Sequence, residues 1–160
     1  MTRRAILRLL AFSISTNAVS SPLQAGVPAR KAAYRGGTIT QLEVSQNGEL
    51  SLEPADHLVF DSGSGDLDLE VAYSSIRGIE YGQNAGRRLG LAIVVSPLFL
   101  LSKKRRHFLP VHFVDPRGAS QAAVFELGKK IVRTTLAALE ARTGLSIEYE
   151  DEEARKAGGV

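Results

Sequence analysis

The sequence predicts a mainly β domain closed by one amphipathic helix near its C terminus, and three features of it lead there. Alternating apolar and polar residues recur in short stretches between residues 38 and 127, which is the two-residue period of half-buried strands. From 129 to 143 the period lengthens to that of a helix. Between the fifth and sixth stretches the chain inserts an uncharged run, residues 89–102, with basic residues at both ends.

The elements follow in order. Residues 38–45 place Ile39, Leu42 and Val44 in an imperfect alternation, and Asn47-Gly48 is a strong hairpin signal leading into 49–53, where Leu50 and Leu52 share a face. Pro54 ends that strand. A third strand is expected over 57–61, then a turn at Ser62-Gly63-Ser64-Gly65, then a fourth strand in which Leu67, Leu69, Val71 and Tyr73 alternate with Asp68, Glu70 and Ala72. Residues 76–81 make a fifth, with Gly78 placed for a bulge. After the insertion come 108–114, a turn at Asp115-Pro116-Arg117-Gly118, and a seventh strand over 122–127. The helix puts Ile131, Val132, Leu136 and Leu139 on one face and Lys129, Lys130, Arg133 and Glu140 on the other, and Gly144 suits a left-handed cap. Leu145, Ile147 and Tyr149 alternate in a brief extended tail.

A chain of 160 residues with 44% hydrophobic content can bury one core. The absence of cysteine excludes disulfides, thiolate metal sites and cysteine nucleophiles. Arg3, Arg4 and Arg8 are the only charged side chains before Gly26, so they account for the whole formal net charge of +3. Charge in the remainder is polarised: basic between Arg87 and Arg106, acidic at Glu148, Glu150, Asp151, Glu152 and Glu153. The acidic residues either screen the basic ones or form a solvated terminus.

Residues 1–25 have the make-up of a signal peptide: a basic start, an apolar stretch over 7–14, and small residues ending in Leu-Gln-Ala. Export to the periplasm or the exterior is expected, and Thr2-Arg3-Arg4 with Arg8 resembles the twin-arginine pattern. Cleavage after Ala25 or after Ser20 fits the small residues there. Residues 26–37, polar and basic with Pro28 and Gly36-Gly37, are expected as a linker, 38–150 as the folded domain, and 151–160 as a charged flexible tail.

The inserted run falls short of the roughly 20 apolar residues that a membrane-spanning helix needs. Pro97 removes a backbone donor and disfavours helical geometry at Ser96, so the run is expected to reverse near its middle. Reversal brings Arg87 and Arg88 to the same side as Lys103, Lys104, Arg105 and Arg106, beneath an apolar tip that includes Val94, Val95, Leu98, Phe99 and Leu100. Such a segment suits contact with an anionic membrane surface or an apolar protein partner, through residues 89–101 and their basic flanks. Two structural readings stand beside it. The run fits a buried hairpin or core segment, and Gly82, Gly86 and Gly90 at four-residue spacing fit an oligomer interface.

Seven strands followed by one helix resembles the pleckstrin-homology-type barrel, in which the helix plugs an open end. Tyr81-Gly82-Gln83, Gly86-Arg87-Arg88, Ser96-Pro97-Leu98-Phe99, Ser102-Lys103-Lys104 and Val124-Phe125-Glu126-Leu127-Gly128-Lys129 are similar to the body of an exported bacterial protein family of unknown function with such a domain. The resemblance implies the barrel, with the apolar run inserted between strands five and six, and implies no activity. Phosphoinositide-binding members of the fold resemble one another in a basic first hairpin. Here that turn is Ser45-Gln46-Asn47-Gly48, without a cation, so any lipid contact is expected to be generic.

No catalytic constellation, cofactor motif or familiar metal-ligand spacing appears in the sequence. His57, His107 and His112 are separate candidates for general-base or imidazole chemistry. Asp61, Asp66 and Asp68 flank a turn but do not match a calcium loop. The Ser62–Gly65 turn lacks the lysine and following helix of a phosphate cradle. A nucleic-acid module would need aromatics among the bases, and Arg105-Arg106-His107-Phe108 is the nearest approach. The expected class is therefore a non-enzymatic binding module without cofactor, metal or nucleic acid, with a small-ligand or metal-dependent enzyme as a minor alternative.

Overall fold

A computed structural model describes residues 27–63, 69–83, 94–95 and 106–159, with backbone alone for 27–30 and 94–95. Its strands are β1 (Val27–Gly37), β2 (Asn47–Leu52), β3 (His57–Asp61), β4 (Leu69–Ala72), β5 (Ile76–Tyr81), β6 (Val94–Val95), β7 (His107–Val114), β8 (Ser120–Leu127) and β9 (Glu148–Tyr149). Helix α1 (Val132–Thr143) lies between β8 and β9, and a short α2 (Glu152–Gly158) follows.

The strands form one sheet in the order β4-β3-β2-β1-β8-β7-β5-β9, with β6 paired to β1 off that path. All pairs are antiparallel except β5 with β9. The architecture is mainly β with a C-terminal helix, as the sequence predicts. The sheet is not closed into a barrel: among the described residues no ladder joins β4 at one edge to β9 at the other.

The largest departure from the sequence reading is β1. Residues 26–37, expected as a linker, supply instead the strand that holds the sheet together. Its first part pairs with β2, its last part with β8, and at Ala32 and Ala33 it pairs with both. The small residues that resemble a linker meet a packing requirement. Gly36 and Gly37 have φ of 150° and 141°, in the region favouring glycine, and a Cβ on Gly37 would overlap the Ala122 carbonyl.

The next stretch is corrected too. Residues 38–46 form turns rather than a strand, closed by hydrogen bonds from Tyr34 N to Gln46 O and from Ser45 N to Tyr34 O. Ser45 takes the positive φ of 82°. Asn47-Gly48 therefore opens β2 instead of making its turn. Gly48 is needed for a different reason, since a Cβ there would collide with Phe60 and the Asp61 carbonyl on β3.

Strands β3, β5, β7 and β8 match their expected spans to within two residues at each end, and β7 and β8 each bury four consecutive residues. Leu58, Phe60, Ile79, Leu109, Val111, Ala123 and Phe125 point into one core. The register slips between Ile76 and Gly78, where the sequence places a bulge. A 3-10 turn, Tyr73–Ser75, makes the corner from β4 to β5. The β7–β8 reversal is held by Asp115, whose Oδ1 accepts from Arg117 N at 2.9 Å and Ala119 N at 2.8 Å.

Helix α1 lies across β1, β2 and that 3-10 corner and buries Val132, Thr135, Leu136 and Leu139. Gly144 ends it in the left-handed conformation, φ 70°. The chain then adds β9 beside β5. Residues 151–160, expected as a flexible tail, contain α2, capped by Asp151 through its Oδ1 to Ala154 N at 2.7 Å. Ala154 is buried, and Gly158 lies so close to Tyr149 and Leu136 that a Cβ would strike the Tyr149 ring.

Two substitutions in α1 test this packing by urea unfolding. Leu139 is fully buried, and Leu139→Ala is expected to cost about 3 kcal/mol. Thr135 Oγ1 is buried without a hydrogen-bond partner among the described residues, so Thr135→Val is expected to raise stability by about 1 kcal/mol. A loss of stability in the second variant would show that the hydroxyl is satisfied in solution.

Candidate functional site

Strand β8 runs through Gly128 into a 3-10 turn, Lys129–Ile131, which feeds α1. Neither the turn nor α1 has a side-chain cap, and neither first turn holds an acidic residue. Lys129, Lys130 and Arg133 occupy this end instead. Cations are disfavoured there, because the unsatisfied N–H groups make the start of a helix electropositive.

These residues form one wall of an open cleft of about 770 Å³. Helix α2 forms a second wall with Glu153, Lys156 and Ala157, and Gln83 and His107, just beyond β5 and at the start of β7, form the third. Arg133 Nη2 donates to Lys156 O at 3.5 Å, tying the two helical walls together. Gly159, φ 95°, leaves room for the Arg133 side chain, which any Cβ there would displace. Among the described residues Lys129, Lys130 and Lys156 form no ion pair.

His107 is anchored from below. Its Nδ1 lies 2.5 Å from the Tyr81 hydroxyl, and the two rings stack at 10° with centroids 6.1 Å apart. Burial pushes the Tyr81 phenol up to about 12, so at neutral pH the hydroxyl keeps its proton. The hydroxyl can then donate to Nδ1, which leaves the imidazole proton on Nε2. Burial and then the charge of Lys129 hold the imidazole below its ordinary value, with Glu126 acting in the opposite sense.

The residues expected to form the site are distributed unevenly. Arg106 is half-buried, and its Nη1 donates at 2.9 Å to Glu126 Oε2, which also accepts from Arg35 Nε at 2.7 Å. Val94 and Val95 form β6, their backbone paired with Gly37 and Gly36. Arg87, Arg88, Leu98, Phe99, Leu100, Lys103, Lys104 and Arg105 lie outside the described residues. The feet of the insertion are nonetheless fixed. Arg106 N donates to Gln83 O at 3.4 Å, and Gly82 and Phe108 exchange two backbone hydrogen bonds. Of the acidic residues, Glu150 accepts from Gln83 N at 3.1 Å and Glu153 lines the cleft.

The other candidates have local partners. His57 pairs with Asp56 at 2.8 Å and His112 with Glu80 at 2.9 Å. Asp61 Oδ1 accepts from Gly63 N at 2.7 Å, while Asp66 and Asp68 lie outside the described residues. Sequence reasoning treated Lys129, Lys130 and Arg133 as the solvated face of a helix and missed the cleft. One signal was present: three bases at a helix start without an acidic cap.

Compared with protein-family models, with curated proteins and with solved structures, the chain matches none.

The His107 environment is testable by NMR titration. The midpoint is expected below 6.5, and Lys129→Gln is expected to move it upward. The unfolded chain takes the proton first, so the stability contributed by keeping His107 neutral is lost as pH falls from 6.5 to the lower native value, and His107 adds no further loss below it. A native midpoint at or above 6.5 would overturn the assignment.

Proposed function

We propose that this chain is a non-enzymatic binding module that meets an anionic membrane surface. Residues 89–101 with their basic flanks are the inserting element, and the cations of the cleft stand behind them. The observation that carries the reading is positional. The feet of the insertion, Gln83 and Arg106, are hydrogen-bonded to each other, and Gln83 and His107 line the cleft that gathers Lys129, Lys130, Arg133 and Lys156. The feet of the run and the cleft cations, which form no ion pair among the described residues, thus lie at one end of the sheet. Each Lys or Arg held close to an anionic leaflet contributes about 1 kcal/mol, so the cleft would strengthen insertion appreciably.

A pleckstrin-homology-type scaffold belongs to the same proposal. Two antiparallel meanders, β1 to β4 and β5, β7 and β8, meet through β1 and β8 and are followed by α1, which is the element order of that fold. Export belongs to it as well, since cleavage after Ala25 would leave β1 whole.

One observation favours a second reading, in which the run is structural. Val94 and Val95 take the flank of β1 that β2 vacates, so part of the run extends the sheet. Vesicle co-sedimentation separates the two. Binding to anionic vesicles is expected to fall when Phe99 becomes Asp or when Lys103, Lys104, Arg105 and Arg106 become Glu. Absence of binding, together with a loss of stability in Phe99→Asp, would favour the structural reading.

A further inference from the structure

We propose that the cleft between the 3-10 turn, α1 and α2 is a discrete binding site for a compact phosphate-class anion. The inference goes beyond membrane contact, because it rests on described residues alone and needs nothing from residues 89–101.

Four cations approach one volume from separate elements: Lys129 and Lys130 from the turn, Arg133 from α1 and Lys156 from α2. Two close approaches build this convergence. Gly158 lets α2 lie against Tyr149 and Leu136, and Gly159 admits the Arg133 side chain beside the end of α2. A solvated basic face would have no need of either. Lys129, Lys130 and Arg133 also crowd the electropositive start of α1, where each is destabilising in the absence of a counter-charge. An anion in the cleft would relieve that repulsion and take up the N–H groups left uncapped at the turn.

The remaining groups set the ligand class. Lysines supply rotatable point charges and Arg133 a planar fork, the combination suited to several oxyanion oxygens at once. His107 can add an Nε2–H donor, the tautomer that results when the Tyr81 hydroxyl donates to Nδ1. Glu153 lines the cleft from α2, whereas Lys129, Lys130 and Arg133 line it from the turn and α1, the side on which a small anion is expected. A phosphate monoester or a pyrophosphate group fits. The same chemistry is presented by a soluble phosphate compound and by a lipid with a terminal phosphate head group.

The full chain should be titrated with inorganic pyrophosphate by calorimetry and by NMR. Binding is expected to perturb the amides of residues 129–133 and to raise the midpoint of His107. It should weaken by at least about tenfold in Lys130→Gln/Arg133→Gln, and the single variant Lys129→Gln should weaken it less. Arg117→Gln, which removes an exposed cation at the β7–β8 turn, at the opposite end of that hairpin from His107, should leave it unchanged. Phe99→Asp should also bind pyrophosphate normally, which separates this site from the membrane reading. A second arm compares vesicles of phosphatidic acid with phosphatidylserine vesicles matched in surface charge. A preference for phosphatidic acid that the double variant loses assigns the lipid source, and equal binding assigns the soluble one. Undetectable pyrophosphate binding, or equal weakening by Arg117→Gln, overturns the proposal even if vesicle binding persists.

Discussion

Strand β1 is hydrogen-bonded on both flanks at Ala32 and Ala33, and this double pairing makes two meanders into one sheet. A strand in that position has no free edge, so its side chains must satisfy neighbours above, below and beside it. Tyr34 answers with a fully buried ring set edge-on to Phe125 at 6.3 Å. Gly36 and Gly37 answer by having no side chain, which lets β1 bend, shift register against β8 and approach Ala122. The positive φ at both glycines is the local geometry of that bend. Every element that lines the cleft depends on it, because β8 leads directly into the 3-10 turn and α1.

The sheet leaves an apolar face that must be covered, and α1 covers it with Val132, Leu136 and Leu139. Helix α2 then packs on α1 through Ala154 and Gly158, adding little apolar area of its own. Its main consequence is geometric: it raises a wall opposite the start of α1 and turns a helix end into a cleft. Strand β9 fixes that wall, since Glu148 and Tyr149 pair with Glu80 and Tyr81 immediately before α2 begins. The Tyr81 ring is thereby shared, edge-on to Tyr149 on one side and stacked on His107 on the other.

Much of this was legible in the sequence, and the failures have physical causes. Strand β3 alternates strictly and was found at its full span, because a two-residue period reports burial of one face directly, and β5 and β7 were found to within a residue from short apolar stretches bounded by turns. The α1 cap at Gly144 was legible for the same kind of reason, a residue type tied to one backbone conformation. Strand β1 was not, because a strand paired tightly on both flanks selects small residues, and Ala, Gly and Pro in a basic context have the composition of a linker. Asn47-Gly48 misled in the complementary way: its glycine serves close packing on Phe60 rather than a turn. Helix α2 was hidden because its buried side consists of an alanine and a glycine among charges, which carries no hydrophobic period. The cleft could not be found from any one segment, since it exists only where β5, β7, the 3-10 turn and α2 come together.

Charge availability shows the same dependence on fold. By composition the chain after Gly26 is formally neutral, which argues against any polyanion partner. Several of its acids, however, are committed elsewhere, although Glu153 lines the cleft. Glu126 holds Arg35 and Arg106, Glu80 holds His112, Asp151 caps α2, and Glu140 and Glu150 accept backbone N–H groups at Ile147 and Gln83. Arg106, prominent in sequence as the last base of a cluster, is held by Glu126, a carboxylate it shares with Arg35. Lys129 and Lys130, unremarkable in sequence, stand at a helix start without an ion pair among the described residues. What a basic residue can attract depends on which acids the fold has already placed beside it, and here Glu126, Glu80, Glu140, Glu150 and Asp151 are each held by another group.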